Sequence, residues 1–324
     1  MKKIEFKKFG IFFVLIALMA IFSIASPVFL SATNILNIIR QVSMIGIAAV
    51  GSTFVILTGG IDLSVGSQVT FVNIVCAYLM VKLGFPPVIS VFISIAIASC
   101  LGLIIGLMIT KIKMPPFIVT LGFMSILSGA ALIISKGLPI FGFPKSFSIL
   151  GQGYLWLIPI PIIIMIVFIG IGSFVLNKTY FGRYLYAIGG NEEASELSGI
   201  NVSKIKTIVY ALNGMFAGIA GVIMLSRTNS GQPTTGGGGF LFDVMTAVIL
   251  GGVSIMGGSG AISGVIAGVL IMGVLSNGLV LMNTNVYLQD VVKGLVLLLA
   301  VAFDCIQKNR AYKEGKTIKS IKDV

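Results

Sequence analysis

The chain has 324 residues, of which 57% are apolar and 10% charged, and its mean hydropathy is +1.10. A soluble globular domain carries about a quarter charged residues, so this composition cannot cover a water-facing surface and points to lipid as its solvent. The net charge of +12 sits at the chain ends and in inter-helix loops rather than on a basic face interleaved with aromatics, which excludes nucleic acid as a partner, and the lack of histidine removes His-based acid–base chemistry and the commonest zinc ligand.

Ten apolar segments follow in chain order: 9–30, 42–58, 66–83, 87–110, 115–135, 154–176, 207–226, 242–257, 262–282 and 288–304. Each approaches the roughly 20 residues that cross about 30 Å of hydrocarbon. Each is predicted helical, because an open sheet would leave backbone groups unpaired in lipid. The expected fold is therefore an all-α, polytopic membrane bundle of about ten helices. Lys2, Lys3, Lys7 and Lys8 precede a first segment too long for a signal-peptide core, so it reads as an uncleaved span. Cys76, Cys100 and Cys305 have no metal-ligand spacing; Cys76 and Cys100, in apolar runs, read as small buried hydrophobes.

Basic residues set the orientation. With the N-terminus inside, sixteen lie on the inner side: the first four lysines, Lys111, Lys113, Lys178, Arg183, Lys204, Lys206, and six from Lys308 to Lys322. Five lie outside: Arg40, Lys82, Lys136, Lys145 and Arg227. Both ends are thus predicted cytoplasmic. The domain reading is a cytoplasmic N-terminus over 1–8, a permease domain over 9–304 with a cytoplasmic loop at 177–206, and a basic tail over 305–324. That tail could also touch anionic lipid. Tyr154 and Trp156 suit an outer aromatic belt.

The 40 glycines include Gly102–Gly106, Gly214–Gly218 and Gly264–Gly268, a spacing that lets helices approach closely in lipid. Val55-Ile56-Leu57-Thr58-Gly59-Gly60 echoes Val248-Ile249-Leu250-Gly251-Gly252, through either chance or an internal repeat.

Two stretches carry function. The first is Thr58-Gly59-Gly60-Ile61-Asp62-Leu63-Ser64-Val65-Gly66-Ser67, which places a carboxylate, hydroxyls and glycines between two apolar spans. A charge within the bilayer normally faces the protein interior or water, and a broken helix is tolerated only beside a cavity or inside protein. Asp62 reads foremost as a cap for the following helix, with a contribution to a polar path as the other reading; Gly60, Ser64, Gly66 and Ser67 belong to the same motif. Thr120, Asn213 and Asn277, polar groups in apolar spans, read foremost as interhelical hydrogen-bond formers, with a place on the path as the other reading. Asp290 and Lys293 are three apart and expected to pair.

The second stretch is the hydrophilic run from Asn177 to Lys206. Asn191 is a good N-cap, Glu192 and Glu193 suit the first turn, and Gly199 is a natural stop. The resulting two-turn helix is too short to be stable alone and calls for a docking partner.

The two stretches together, with Asn201–Lys206, Gln232-Pro233 and Gly251–Gly258, resemble the permeases of bacterial ABC importers for pentoses and related sugars, the ribose-type family. The resemblance spans nearly the whole chain. It implies a permease rather than an enzyme, placed in the bacterial inner membrane and moving ribose or a related monosaccharide. It also implies a separate cytoplasmic ATPase that binds the ATP, an extracytoplasmic sugar-binding protein and a second permease copy. Asn191–Ser198 would be the coupling helix, with Arg183, Gly190, Glu192, Glu193, Ala194, Glu196 and Gly199 shaping its contact. No Walker-type loop is present, so no cofactor is expected on this chain. One departure is Leu241, two positions before Asp243, where the family often carries an acidic residue. The alternatives are an ABC permease for nucleosides, a furanosyl signalling compound or branched-chain amino acids, and an ion-coupled secondary transporter.

Overall fold

The computed structural model describes residues 2–322, with side chains described for 11–237 and 239–306. Five helices come first: α1 (Lys2–Ala25), α2 (Ala32–Leu57), α3 (Val65–Val81), α4 (Pro87–Thr110) and α5 (Pro116–Ser135). Next are α6 (Lys145–Gln152), a hairpin of β1 (Tyr154–Leu155) and β2 (Ile158–Pro159), and α7 (Ile160–Lys178). Then come α8 (Tyr180–Gly190), α9 (Glu192–Leu197), α10 (Val202–Thr228), α11 (Gly238–Leu250), α12 (Ile262–Leu281) and α13 (Val286–Lys322). Helices α4, α5 and α7 carry proline in their first turn, where its fixed φ is pre-set for a helix and its missing N–H costs nothing.

The fold is an all-α membrane bundle with one minimal hairpin. Seven helices among the described residues are long and apolar enough to cross a membrane: α2, α4, α5, α7, α10, α12 and Val286–Ile306 of α13. Ile11–Ala25, Val65–Val81 and Gly239–Leu250 are apolar but shorter.

Burial orders the bundle. The apolar windows of α2 and α10 are 83% and 72% buried, against 28% or less for α4, α5 and α7 and 0% for α13. Two central pillars are therefore ringed by helices whose apolar side chains face outward, as lipid requires. Phe54 of α2 and Phe168 of α7 both meet Phe216 of α10 edge to face, at 6.1 and 5.6 Å between ring centroids.

The small-residue spacing does what its pattern predicts. Gly102 and Gly106 of α4 lie against Tyr210 and Thr207 of α10, while Gly214 and Gly218 of α10 lie against Ala98 of α4. A methyl group at Gly102 or Gly214 would collide with the facing backbone carbonyl. Gly264 and Gly268 of α12 meet the carbonyls of Gly251 and Ala247 in the same way.

Three expectations change. The sixth segment does not begin its helix at 154: the hairpin occupies 154–159, because Pro159 and Pro161 set the helix start at Ile160. Tyr154 and Trp156 belong to that hairpin, with Trp156 95% exposed. The eighth segment is helical only to Leu250, since Gly252, Gly257 and Gly258 adopt positive φ and break it. Cys76 is buried as expected, whereas Cys100 faces outward on α4.

The sequence echo becomes a shared helix stop. At the end of α2, Gly60 N–H donates to Val55 O (3.1 Å) and Gly59 N–H to Ile56 O (2.9 Å), with Gly59 at φ +74. At the end of α11, Val253 N–H donates to Val248 O (3.2 Å) and Gly252 N–H to Ile249 O (2.8 Å), with Gly252 at φ +83. Both are Schellman caps, residue for residue along the echoed stretch.

Candidate functional site: a braced helix break and a capped hydrophilic hairpin

Between α2 and α3 the chain is non-helical, and Asp62 is 2% exposed there. Its Oδ1 accepts from the Ser64 backbone N–H (2.8 Å) and the Ser64 hydroxyl (2.5 Å), closing an Asx turn. Its Oδ2 accepts from Asn213 Nδ2 of α10 at 2.7 Å. Gln68 Nε2 donates to Ser64 Oγ at 2.8 Å, and Ser67 Oγ donates to Ser64 O at 2.8 Å. Both carboxylate oxygens thus have donors from within the protein, which is what a buried charge needs. Asp62 does not cap α3 as expected: the N-cap is Ser64, which makes no side-chain cap bond. The carboxylate instead ties the break to a central helix.

Glycines complete this region. Tyr210 Oη lies 3.4 Å from Ile61 O and stands where a Cβ on Gly60 would go. Gly66 and Gly236 pack backbone to backbone, and Gly236 N–H donates to Thr70 Oγ1 at 2.8 Å. The loop before α11 is thereby laid along α3, and Gln232 N–H donates to Asn73 Oδ1 at 3.1 Å.

The second cluster is built as its residue types dictate. Asn191 Oδ1 accepts from Ala194 N–H at 2.9 Å as N-cap of α9, and Gly199 lies at φ +84 just past its end. Glu192 pairs with Lys206 at 2.5 Å. Glu193, Ala194 and Glu196 are exposed, while Ser195 is buried beneath them. Arg183 of α8 stacks over the Tyr180 ring at 4.1 Å, and Gly190 is exposed at the α8–α9 corner.

The remaining candidates stand apart. Asn213 joins the Asp62 network, but Asn277 pairs reciprocally with Asn34 of α2, both bonds 2.9 Å. Thr120 donates to Pro116 O of its own helix at 2.9 Å. The expected Asp290–Lys293 pair is not formed. Lys293 Nζ instead reaches Asp243 Oδ2 of α11 at 3.0 Å, with both side chains largely buried, because the inward face of α13 meets α11.

Sequence reasoning missed Gln68, Tyr210, Lys206 and Leu197. Gln68 lies one turn from Ser64 and Tyr210 three residues from Asn213, so helical spacing could have found both. Nothing in the sequence marks Leu197, which is 90% exposed at the end of α9.

A family model described as branched-chain amino acid transport system / permease component matches residues 34–301. The chain is 45% identical to the ribose import permease protein of Bacillus subtilis, covering 94% of this chain and 95% of that one. It is 44% identical to the ribose import permease protein of Haemophilus influenzae, covering 90% and 91%. Identity to the xylose transport system permease protein of Escherichia coli K12 is 32%, covering 96% and 95%. No solved structure matches. On the length and level of these matches, the chain belongs to this permease family, in its ribose-type branch.

Proposed function

We propose that this chain is the membrane-embedded permease of an ATP-driven importer that carries ribose or a closely related monosaccharide into the cell by alternating access. The support is the run of ribose permeases at 43 to 45% identity over at least 90% of the chain, with the xylose relative well below them. The permease is a transport subunit, and ATP is hydrolysed by a separate cytoplasmic ATPase.

The reading of ten crossings is supported by counting the three shorter apolar helices with the seven long ones, and the positive-inside rule favours a cytoplasmic N-terminus (1–8) and basic tail (305–324). A second copy completes the pore, an extracytoplasmic sugar-binding protein delivers substrate, and lipid covers the outward apolar faces.

The single observation that carries the motor assignment is α9. It is a six-residue helix, capped at both ends, whose Glu193, Glu196 and Leu197 project away from the protein. So short a helix is marginal alone, and one that leaves a leucine and two carboxylates unburied suits the cleft of a partner. Arg183, Gly190 and Glu192 shape its base. The Asp62 network, with Gly60, Ser64, Gly66, Ser67 and Asn213, holds the helix break beside the central pillars rather than gripping sugar. Thr120 and Asn277 serve helix packing.

The test is the double substitution Glu193→Lys/Glu196→Lys. Loss of ATPase co-purification and of sugar uptake is expected, with the permease still in the membrane. Wild-type values for both would remove the docking role.

A further inference from the structure

At one of the places where the hairpin α8–α9 meets the rest of the bundle, backbone packs directly on backbone. Gly189, the next-to-last residue of α8, lies so close to Leu57 O and Gly258 N that a Cβ there would overlap both. Gly258 N–H donates to Leu57 O at 2.9 Å. A Cβ on Gly257 would lie 2.7 Å from Gly59 N and 3.1 Å from Gly189 Cα, and one on Gly258 would lie 2.8 Å from Gly190 N. Gly257 and Gly258 both have positive φ, at +82 and +70. Three backbone segments therefore touch directly: the last turn of α8, the Schellman cap of α2, and the loop that follows the matching cap of α11.

One side-chain bond closes the junction. Tyr186, one turn before Gly190, donates its hydroxyl to Gly260 O at 2.9 Å. Partial burial holds the phenol above its ordinary pKa, so it remains a donor throughout the physiological range. Leu185 and Ile188, buried on the adjacent face of α8, fix the helix from the other side.

We propose that Tyr186 and Gly189 form a backbone-to-backbone clutch that ties the motor-side hairpin to both helix breaks at once, so that a movement of α9 is delivered to residues 58–64 and 251–260 together. Packed side chains can change rotamer and absorb a small displacement, whereas backbones in direct contact, with the two breaks joined to each other by the Gly258–Leu57 bond, cannot. Residues 58–64 pass the displacement to Asp62 and through it to α10. Residues 251–260 pass it to the start of α12 and, through Ser254 Oγ and Asp304 Oδ2 (3.4 Å), to α13. Tyr186 and Gly189 are positioning residues. The inference rests on α9 being the docking element, and it adds where the motion goes.

The test uses Tyr186→Phe, which keeps the ring and removes one hydroxyl, and Gly189→Ala, which inserts one methyl group. Gly122→Ala, on an open face of α5, is the control and is expected to match wild type. Hydrogen exchange of the full chain in lipid nanodiscs is read for 58–64 and 251–260, and sugar uptake per ATP hydrolysed is read in the reconstituted complex. Tyr186→Phe is expected to raise exchange in both segments by about tenfold, the effect of one hydrogen bond. It is expected to lower uptake per ATP about threefold or more, with ATPase co-purification unchanged. Exchange that rises in only one segment, or uptake per ATP equal to wild type, overturns the proposal. If Gly189→Ala does not accumulate, Tyr186→Phe alone decides. A wild-type chain that retains no ATPase would sink the docking reading separately, and the exchange result, which needs no partner, would still judge the junction.

Discussion

The two helix breaks, 58–64 after α2 and 251–260 after α11, stop their helices with the same cap and are then held by opposite means. The first is tied inward: Asp62 takes three donors, one of them from Asn213 on α10. The second has no buried carboxylate of its own and is held by glycine contacts and by bonds from Tyr186 and to Asp304, on helices at the edge of the bundle. The helix leading into it, α11, is fixed to peripheral α13 by the Asp243–Lys293 pair. One local device thus serves two ends: a break anchored in the central pillars, and a break anchored to the elements around them.

That contrast orders the expected effects. Lys293→Met removes the partner of a buried carboxylate on α11 and should cost about 3–5 kcal/mol, read as loss of thermal stability in detergent. Adding Asp243→Asn should recover most of it, because no buried charge then remains unpaired. Asp62→Ala leaves the Ser64 N–H and hydroxyl and the Asn213 amide without acceptors, for about 2–4 kcal/mol; equal stability of Asp62→Ala and wild type would dissolve the first anchor. Gly59→Ala and Gly252→Ala sharpen the likeness of the two caps. Neither position has anything closer than 3.8 Å to a new Cβ, so each should pay only for positive φ, about 1–2 kcal/mol, and the two losses should agree. The smallest effect is at the surface: Lys206→Met breaks the half-exposed bond to Glu192 and should change stability by less than about 1 kcal/mol, vanishing in high salt.

Much of this was legible before the fold was known. Apolar runs placed the helices because lipid leaves the backbone no alternative, and the α9 hairpin followed from Asn191, Glu192 and Gly199, whose effects are local. Small-residue spacing predicted close contacts without naming the facing helix. What the sequence hid was pairing at a distance. Lys293 looked bound to Asp290 because both lie on one helix, whereas its partner is fifty residues away on α11. Asp62 looked like a cap because its nearest helix start is α3, but its second oxygen is satisfied by α10. The end of α11 was misjudged since apolar composition runs on to 257 through glycines that break the helix. The close contact at Gly189 carries no composition signal, because it is made between backbones.

Docking of an ATPase on α9 requires α9 to face the cytoplasm, and cysteine accessibility tests this most directly. In a chain with Cys76, Cys100 and Cys305 replaced by serine, Leu197→Cys should react with a membrane-impermeant maleimide in inside-out vesicles stripped of ATPase, be shielded when the ATPase is added back, and stay unlabelled in intact cells. Labelling from outside intact cells, or reactivity indifferent to the ATPase, would contradict it.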